Sequence, residues 1–252
     1  TPIQLTQFIN KFLTPMTNII METGGTIDKY MGDAIMAFWN APLDEPDHAA
    51  RAVGAALKIR QQLEELVPVW QAEAAEEGRS LPPVRIGMGL NTGDCVVGNM
   101  GSDNRFDYSC LGDTVNTASR LEGQSKMYGT DLVVSEDTAV LAPDFAYLEL
   151  DLLQVKGKTQ AVRVFTVVGD AELAATAAFK RVKDHIDAML AAYRAQEWDS
   201  ALGYALAGPP EEIATNPGGL AGLYEEYAAR IRELKEDPPG AGWNGVYEAK
   251  TK

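Results

Sequence analysis

Cysteine, long apolar runs and positive charge are scarce in this sequence, and each scarcity argues against a class of protein. Only two cysteines, Cys95 and Cys110, occur among 252 residues, which suits a reducing, cytoplasmic compartment better than a disulfide framework. No apolar run approaches the ~20 residues of a membrane span, and no segment resembles a signal peptide. We therefore expect no membrane contact by this chain.

The charge balance is acidic, with 22 Lys and Arg residues against 36 Asp and Glu residues and a formal net charge of −14. A nucleic-acid-binding protein would carry an excess of the opposite sign, so we expect no nucleic-acid partner. An acidic protein that acts on a phosphate-bearing substrate needs metal ions or locally placed Lys and Arg. Hydrophobic residues make up 46% of the chain, which is enough for a folded core.

Helical and strand patterns alternate from residue 1 to 168, which predicts an α/β or α+β sandwich layer. Two of the strands are expected to form a hairpin around Thr92-Gly93-Asp94. The predicted elements are a helix over 1–22, strands over 25–30 and 33–39, a helix from about Asp47, the hairpin over 84–101, a helix from near Asp113 to Gly129, and strands over 131–135, 145–151 and 161–169.

Residues 169–252 differ in character, because Ala-rich helical stretches replace the alternation. The segment "AAYRAQEWDSALGYALA" is similar to a tetratricopeptide-type helix pair, although one such unit cannot bury its own faces. The Pro/Gly-rich tail is expected to be extended and docked by Trp243 and Tyr247. We therefore divide the chain into a domain over 1–168 and a helical appendage with an extended tail over 169–252.

Three short islands combine charged residues with glycine and apolar neighbours. The first, "TIDKYMGDAIMAFW", places Lys29 and Asp33 around a tight turn, and a plain hairpin needs the glycine of that turn but not the acid. The other two islands are "SCLGDTVNTASRLE" over 109–122 and "LLQVKGKTQAVRVF" over 152–165.

The motifs "GGTIDKYMGDAIMAF", "GLNTGDCVVGNMGS", "GDTVNTASRLE" and "VKGK" follow one another in the order of the catalytic domain of class III nucleotide cyclases. Residues 1–168 therefore resemble this family of adenylate and guanylate cyclases. The resemblance implies a ferredoxin-like α/β sandwich that works as a head-to-tail homodimer, with two sites that are each built from both protomers. It also implies conversion of ATP to 3′,5′-cyclic AMP and pyrophosphate in intracellular signal transduction.

The resemblance assigns Asp33 to metal binding, with Mg²⁺ or Mn²⁺ as the cofactor and two ions in each complete site. Taken alone, Asp33 also suits a solvated acid at a hairpin. The family's other metal aspartate lies on a strand before the opening helix, upstream of Thr1. We therefore expect residues 1–252 by themselves to be inactive or weakly active. We also expect that a full-length protein has an upstream sensor domain, and that it can be membrane-anchored with this domain on the cytoplasmic side.

Asn116 and Arg120 are four residues apart and hence share one face of the predicted helix. The resemblance gives Asn116 the role of orienting the ribose and Arg120 that of binding the charge that develops on the phosphate. The alternative is an exposed helical pair in which Arg120 binds Glu122 or another acid. Lys156 would reach the β- and γ-phosphates, and its alternative is a basic surface turn beside Lys158.

The choice of base depends on Lys29 and Ser109. In the family, a lysine at the first position donates to the adenine ring, whereas guanylate cyclases place a glutamate there. Ser109 stands where an aspartate is usual, and the Lys/Ser combination is similar to a subgroup that includes bicarbonate-responsive adenylate cyclases. We expect ATP as the substrate; the alternatives are guanylate cyclase or a non-catalytic nucleotide-binding module of the same fold. Asp28 is assigned, with the other nearby acids, to turns and caps.

Overall fold

A computed structural model of the protein describes residues 2–154, 160–213 and 219–248. The elements, in chain order, are α1 Pro2–Glu22, β1 Thr26–Met31, β2 Ala34–Phe38, α2 His48–Glu76, β3 Met88–Leu90, β4 Val96–Ser102, β5 Arg105–Leu111, α3 Asp113–Tyr128, β6 Leu132–Ser135, α4 Glu136–Leu141, β7 Phe145–Gln154, β8 Val162–Asp170, α5 Ala171–Ala175, α6 Ala177–Arg194, α7 Trp198–Ala207, α8 Ala221–Glu236 and β9 Tyr247–Glu248. Within the described residues, none of the helices combines the length and apolar character that crossing a bilayer requires.

The chain divides into two units by its internal contacts. Unit 1 comprises Thr1–Ile86 and Gly93–Val115, and unit 2 comprises Gly87–Thr92 and Asn116–Lys252. Each unit has its own strands, and helix α3 begins in unit 1 and continues in unit 2.

Unit 1 contains two antiparallel hairpins. Strands β1 and β2 pair around Gly32, whose φ of 68° lies in the region that glycine tolerates best. Strands β4 and β5 pair in continuous register from Val96 opposite Leu111 to Ser102 opposite Arg105. The first pair confirms the predicted strands over 25–30 and 33–39.

The predicted hairpin around Thr92-Gly93-Asp94 is wrong, because the strands on either side of that segment belong to different sheets. Strand β3 pairs in parallel with β6, whereas β4 pairs with β5 through the turn at Asp103 and Asn104. The shorter connection closes the hairpin, and Gly101 makes it possible with a φ of 152°. Glycine is required there because a Cβ atom would overlap the backbone carbonyl of Arg105.

Unit 2 is a mixed sheet of order β3-β6-β8-β7-β9 with helices packed against it. The longest pairing is the antiparallel one between β7 and β8. Helices α6, α7 and α8 share one hydrophobic core with this sheet, and the hydroxyl of Tyr227 on α8 donates to the carbonyl of Leu150 at 2.8 Å. The mixed sheet and its helices confirm the predicted α/β class.

The C-terminal tail returns to the sheet in the predicted way. Strand β9 pairs in parallel with β7, with Tyr247 opposite Leu153. The ring of Trp243 lies 5.1 Å from that of Tyr193, and the guanidinium of Arg230 lies 3.6 Å from the centre of the Tyr247 ring. Both predicted anchors, Trp243 and Tyr247, therefore dock the tail onto unit 2.

Candidate functional site

A β-bulge in unit 1 sets the position of a buried carboxylate. The pairing of β1 with β2 shifts between Ile27 and Lys29, which leaves Asp28 without a partner in the ladder. A bulge of this kind re-aims the side chain of the extra residue. The Asp28 side chain is 0% exposed, and its Oδ2 accepts hydrogen bonds from Ser109 Oγ at 2.6 Å and from the Cys110 amide at 3.1 Å.

The same carboxylate also contacts the lysine that follows it. Lys29 Nζ lies 3.2 Å from Asp28 Oδ1, and the Lys29 side chain is 46% exposed. Burial opposes ionisation of Asp28, but the hydrogen bonds from Ser109 and Cys110 and the adjacent ammonium outweigh it, so the pKa of Asp28 lies below its usual value. Asp28 thus holds Lys29 and Ser109 together.

The assignment of Asp28 to a turn or cap is wrong, since the residue lies within β1 and its side chain is buried. The sequence signal that could have identified it is an acid inside an otherwise strand-like segment, "TIDKYM". A buried charge requires partners, and such a residue is therefore a candidate for a specific site.

Asp33 follows Gly32 in the tight turn between β1 and β2, and it is exposed to solvent. Among the described residues, no group of three or more His, Cys, Asp or Glu side chains is placed to hold a metal ion. An exposed carboxylate in a fixed turn suits one oxygen ligand of a hard cation such as Mg²⁺. Among the described residues, Asp33 therefore supplies one carboxylate ligand for the predicted metal ions.

Two glycines, Gly89 in β3 and Gly87 just before it, determine how closely helix α3 approaches the sheet of unit 2. A Cβ atom on Gly89 would overlap the carbonyl oxygen of Ala118 and the amide nitrogen of Glu122, and one on Gly87 would lie 2.6 Å from Ser125 Oγ. The helix consequently rests directly on the strand. Its buried face consists of Thr117, Leu121, Gln124, Ser125 and Tyr128.

Asn116 and Arg120 lie beside that buried face, as their spacing predicted. Asn116 is exposed and Arg120 is half-buried. Within the part of the chain that the structure describes, Arg120 Nη1 is buried and has no hydrogen-bond partner. A buried guanidinium nitrogen without a partner is costly, and the alternative in which Glu122 binds Arg120 is not among the described ion pairs.

The predicted residues are distributed over both units. Lys29, Asp33 and Ser109 lie in unit 1, where Lys29 and Ser109 meet at Asp28, and Asn116 and Arg120 lie in unit 2. Lys156 lies outside the described residues.

Residues 1–171 match the family model described as "Adenylate and Guanylate cyclase catalytic domain". This match covers more than half of the 252 residues. The chain belongs to this family of class III cyclase catalytic domains.

Individual relatives agree with the family match. The chain is 32% identical over 170 residues to Adenylate cyclase 1 of Rhizobium meliloti (strain 1021). The aligned residues make up 67% of this chain and 25% of that protein. The crystal structure of the adenylyl cyclase CyaB from P. aeruginosa has a TM-score of 0.58 at 33% identity, covering 66% of this chain and 82% of the other. The crystal structure of the guanylyl cyclase Cya2 has a TM-score of 0.59 at 31% identity, and the match covers 68% of this chain and 84% of the Cya2 chain.

These comparisons confirm the predicted cyclase fold but do not decide between ATP and GTP as the substrate. The adenylyl and guanylyl cyclase structures are similar to this chain to nearly the same degree, with 33% and 31% identity. The choice of base must therefore be argued from the residues that would contact it. The chain spans only a quarter of the length of the Rhizobium relative.

Proposed function

We propose that this chain is the catalytic domain of an adenylate cyclase, which converts ATP to 3′,5′-cyclic AMP and pyrophosphate as the output of a signalling protein. The observation that carries the proposal is the Asp28 carboxylate, because it brings the Lys29 ammonium and the Ser109 hydroxyl to one place. These are the two positions at which the family resemblance locates recognition of the base.

The chemistry of Lys29 favours adenine. An ammonium group only donates hydrogen bonds, and N1 of adenine is an acceptor, whereas N1 of guanine carries a hydrogen. In the family, guanylate cyclases have a glutamate at this position, which would accept from guanine. Lys29 therefore supports ATP as the substrate and argues against the guanylate cyclase alternative.

On the phosphate side, Arg120 is the residue whose environment supports a catalytic role. Its buried Nη1 has no partner among the described residues, and a guanidinium stays charged and offers donors in a fixed plane. Such a group stabilises charge that develops on a phosphate in the transition state. We assign ribose orientation to the exposed Asn116, and binding of the β- and γ-phosphates to Lys156.

Asp33 is the residue of this chain that would hold a divalent cation, Mg²⁺ or Mn²⁺. Bound cations would neutralise the triphosphate and lower the pKa of the ribose 3′-hydroxyl. Asp33 supplies one carboxylate, and two ions at a complete site require a second one.

Exposed apolar side chains on the hairpins of unit 1 support a homodimer. Val96 is 69% exposed and Phe106 is 66% exposed, and Tyr30, Met31 and Leu111 are exposed as well. Val96 and Leu111 are opposite each other in the β4–β5 hairpin, and exposed apolar side chains that lie together mark interaction surfaces. We propose that Lys29, Asp33 and Ser109 of one protomer act with Asn116 and Arg120 of its partner.

A direct test is to identify the product that the full-length protein makes from ATP and from GTP with Mg²⁺ or Mn²⁺. We expect cyclic AMP, and we expect Arg120→Ala to lower kcat by about 10²–10³-fold because a transition-state donor is lost. Arg181→Ala is the matched control, since Arg181 is an exposed arginine on α6, and it should leave kcat unchanged. Nucleotide binding without any cyclic product would support the non-catalytic module, and preferential cyclic GMP formation would support guanylate cyclase.

A further inference from the structure

We infer that Asp28 is a positioning residue that fixes Ser109 as a hydrogen-bond acceptor, so that the site selects a 6-amino purine over a 6-oxo purine. The inference rests on the proposed function in one respect, namely that Lys29 and Ser109 face the base. Asp28 contacts both of these residues, and its own side chain is 0% exposed.

The direction of the hydrogen bond between Asp28 and Ser109 follows from charge. Asp28 is ionised at neutral pH, and an ionised carboxylate has no proton to donate. The 2.6 Å contact must therefore use the single hydroxyl proton of Ser109, and a short, charge-assisted bond of this kind is strong. Once that proton is committed to Asp28, Ser109 Oγ can only accept from a ligand.

Each oxygen of the Asp28 carboxylate has a separate task. Oδ2 accepts from Ser109 and from the amide of Cys110, which anchors the carboxylate to β5, and Oδ1 lies 3.2 Å from Lys29 Nζ. The β-bulge makes this possible, since Asp28 is the residue of β1 that is left out of the ladder. The result is a donor, Lys29, beside an acceptor, Ser109.

This donor and acceptor complement the edge of adenine that carries N1 and the 6-amino group. N1 accepts from Lys29, and the 6-amino group donates to Ser109. A base held in the same orientation with a 6-oxo group presents the reverse at both atoms, so that an acceptor faces Ser109 and a donor faces Lys29. Mismatched polar groups of this kind are rejected strongly.

Two substitutions at Asp28 separate the role of the acceptor from that of the charge. Asp28→Asn removes the charge but keeps an oxygen that can accept from Ser109 and Cys110, whereas Asp28→Ala removes the acceptor as well. Lys29 loses its ion pair in both variants, so the comparison isolates Ser109. The readout is the ratio of kcat/KM for ATP to that for inosine triphosphate, a 6-oxo purine without the 2-amino group of guanine, measured in the full-length protein.

We expect Asp28→Ala to reduce the ATP preference about tenfold or more, because the freed hydroxyl of Ser109 can then donate to a 6-oxo group. Asp28→Asn should keep the preference within about threefold of wild type, since Ser109 remains committed. A merely structural role would lower both activities together and leave the ratio unchanged. The inference is contradicted if folded Asp28→Ala retains the wild-type ratio, or if Asp28→Asn loses as much of it as Asp28→Ala.

Thermal melting of each variant establishes whether it is folded. If Asp28→Ala does not fold, Ser109→Ala is the second test, because it removes the hydroxyl that donates to Asp28 and would accept from the 6-amino group. This variant should lower the ATP preference, and an unchanged ratio would overturn the inference. Failure of the proposed function is separately visible in the wild-type protein. A wild type that prefers the 6-oxo nucleotide would refute adenine specificity itself, whatever the variants do.

Discussion

Ser109 and its neighbour Cys110 both contribute to the environment of Asp28, through a hydroxyl and a backbone amide. Both residues are buried, at 5% and 3% exposure. A site in which the key groups are fixed by a buried carboxylate leaves little freedom to the side chains that it holds. The reactivity of the two cysteines offers a chemical test of this burial.

We predict that iodoacetamide at pH 8 modifies Cys95 in the native protein and spares Cys110. Cys95 is exposed, whereas burial, reinforced by nearby Cys95 and Asp28, raises the pKa of the Cys110 thiol to about 11. At pH 8 only about one Cys110 in a thousand would then be a thiolate, the reactive form. Mass spectrometry of the labelled peptides measures both sites.

Two controls make this labelling experiment decisive. Cys95→Ser should abolish labelling of the native protein, and unfolding in denaturant should make Cys110 reactive. Labelling of native Cys110 at the rate of Cys95 would contradict the burial of β5 beside Asp28.

Among single residues, Lys29, Asp33, Asn116 and Arg120 could be singled out from the sequence because their chemistry and spacing are local. Their roles stay predictions, while their positions on a strand, a turn and a helix are confirmed. For Asp28 the local sequence shows only an acid inside a strand-like segment. Its partners could not be predicted, because its burial depends on a bulge in β1 and on donors from β5, which lies about eighty residues further along the chain.

At the scale of elements, the position of α3 depends on two glycines, one in β3 and one just before it. Gly87 and Gly89 allow the helix to pack against the strand, and this helix presents both Asn116 and Arg120. The local helix pattern could be predicted, but this close approach could not, since it involves residues that are about thirty positions apart.

We predict that Gly89→Ala lowers the free energy of unfolding by about 1–3 kcal/mol, because the new methyl group would overlap the backbone of α3. Gly98→Ala is the matched control, since Gly98 also lies in a strand and a Cβ atom there would have no atom within 4 Å. Chemical denaturation measures both variants. Equal stability of the two would show that β3 and α3 are not in close contact.

The segment Thr92-Gly93-Asp94 does separate two strands, but it does not join them into the predicted hairpin. Turn residues indicate where a strand ends, whereas strand pairing is set by partners that lie further away. Strand β3 finds β6, and the two-residue connection at Asp103 and Asn104 gives β4 a closer partner in β5.

At the scale of the whole molecule, the family match ends at residue 171, while the helices that follow share a core with the sheet of unit 2. The cyclase fold could be predicted because four motifs occur in family order. The way in which the appendage covers the sheet could not, because an Ala-rich helix pair does not specify its own partner. The domain boundary at 168/169 and the shared site remain predictions.

The central claim, an adenylate cyclase site shared between two protomers, is tested most directly by mixing two inactive variants of the full-length protein. Asp33→Ala and Arg120→Ala homodimers should each be nearly inactive, since every site lacks either a metal ligand or a phosphate donor. After random exchange, half of the dimers are mixed and half of their sites are intact, so cyclic AMP formation should recover to about a quarter of wild type. Subunit exchange that is demonstrated by energy transfer between labelled chains, but is accompanied by no recovered activity, would contradict the claim.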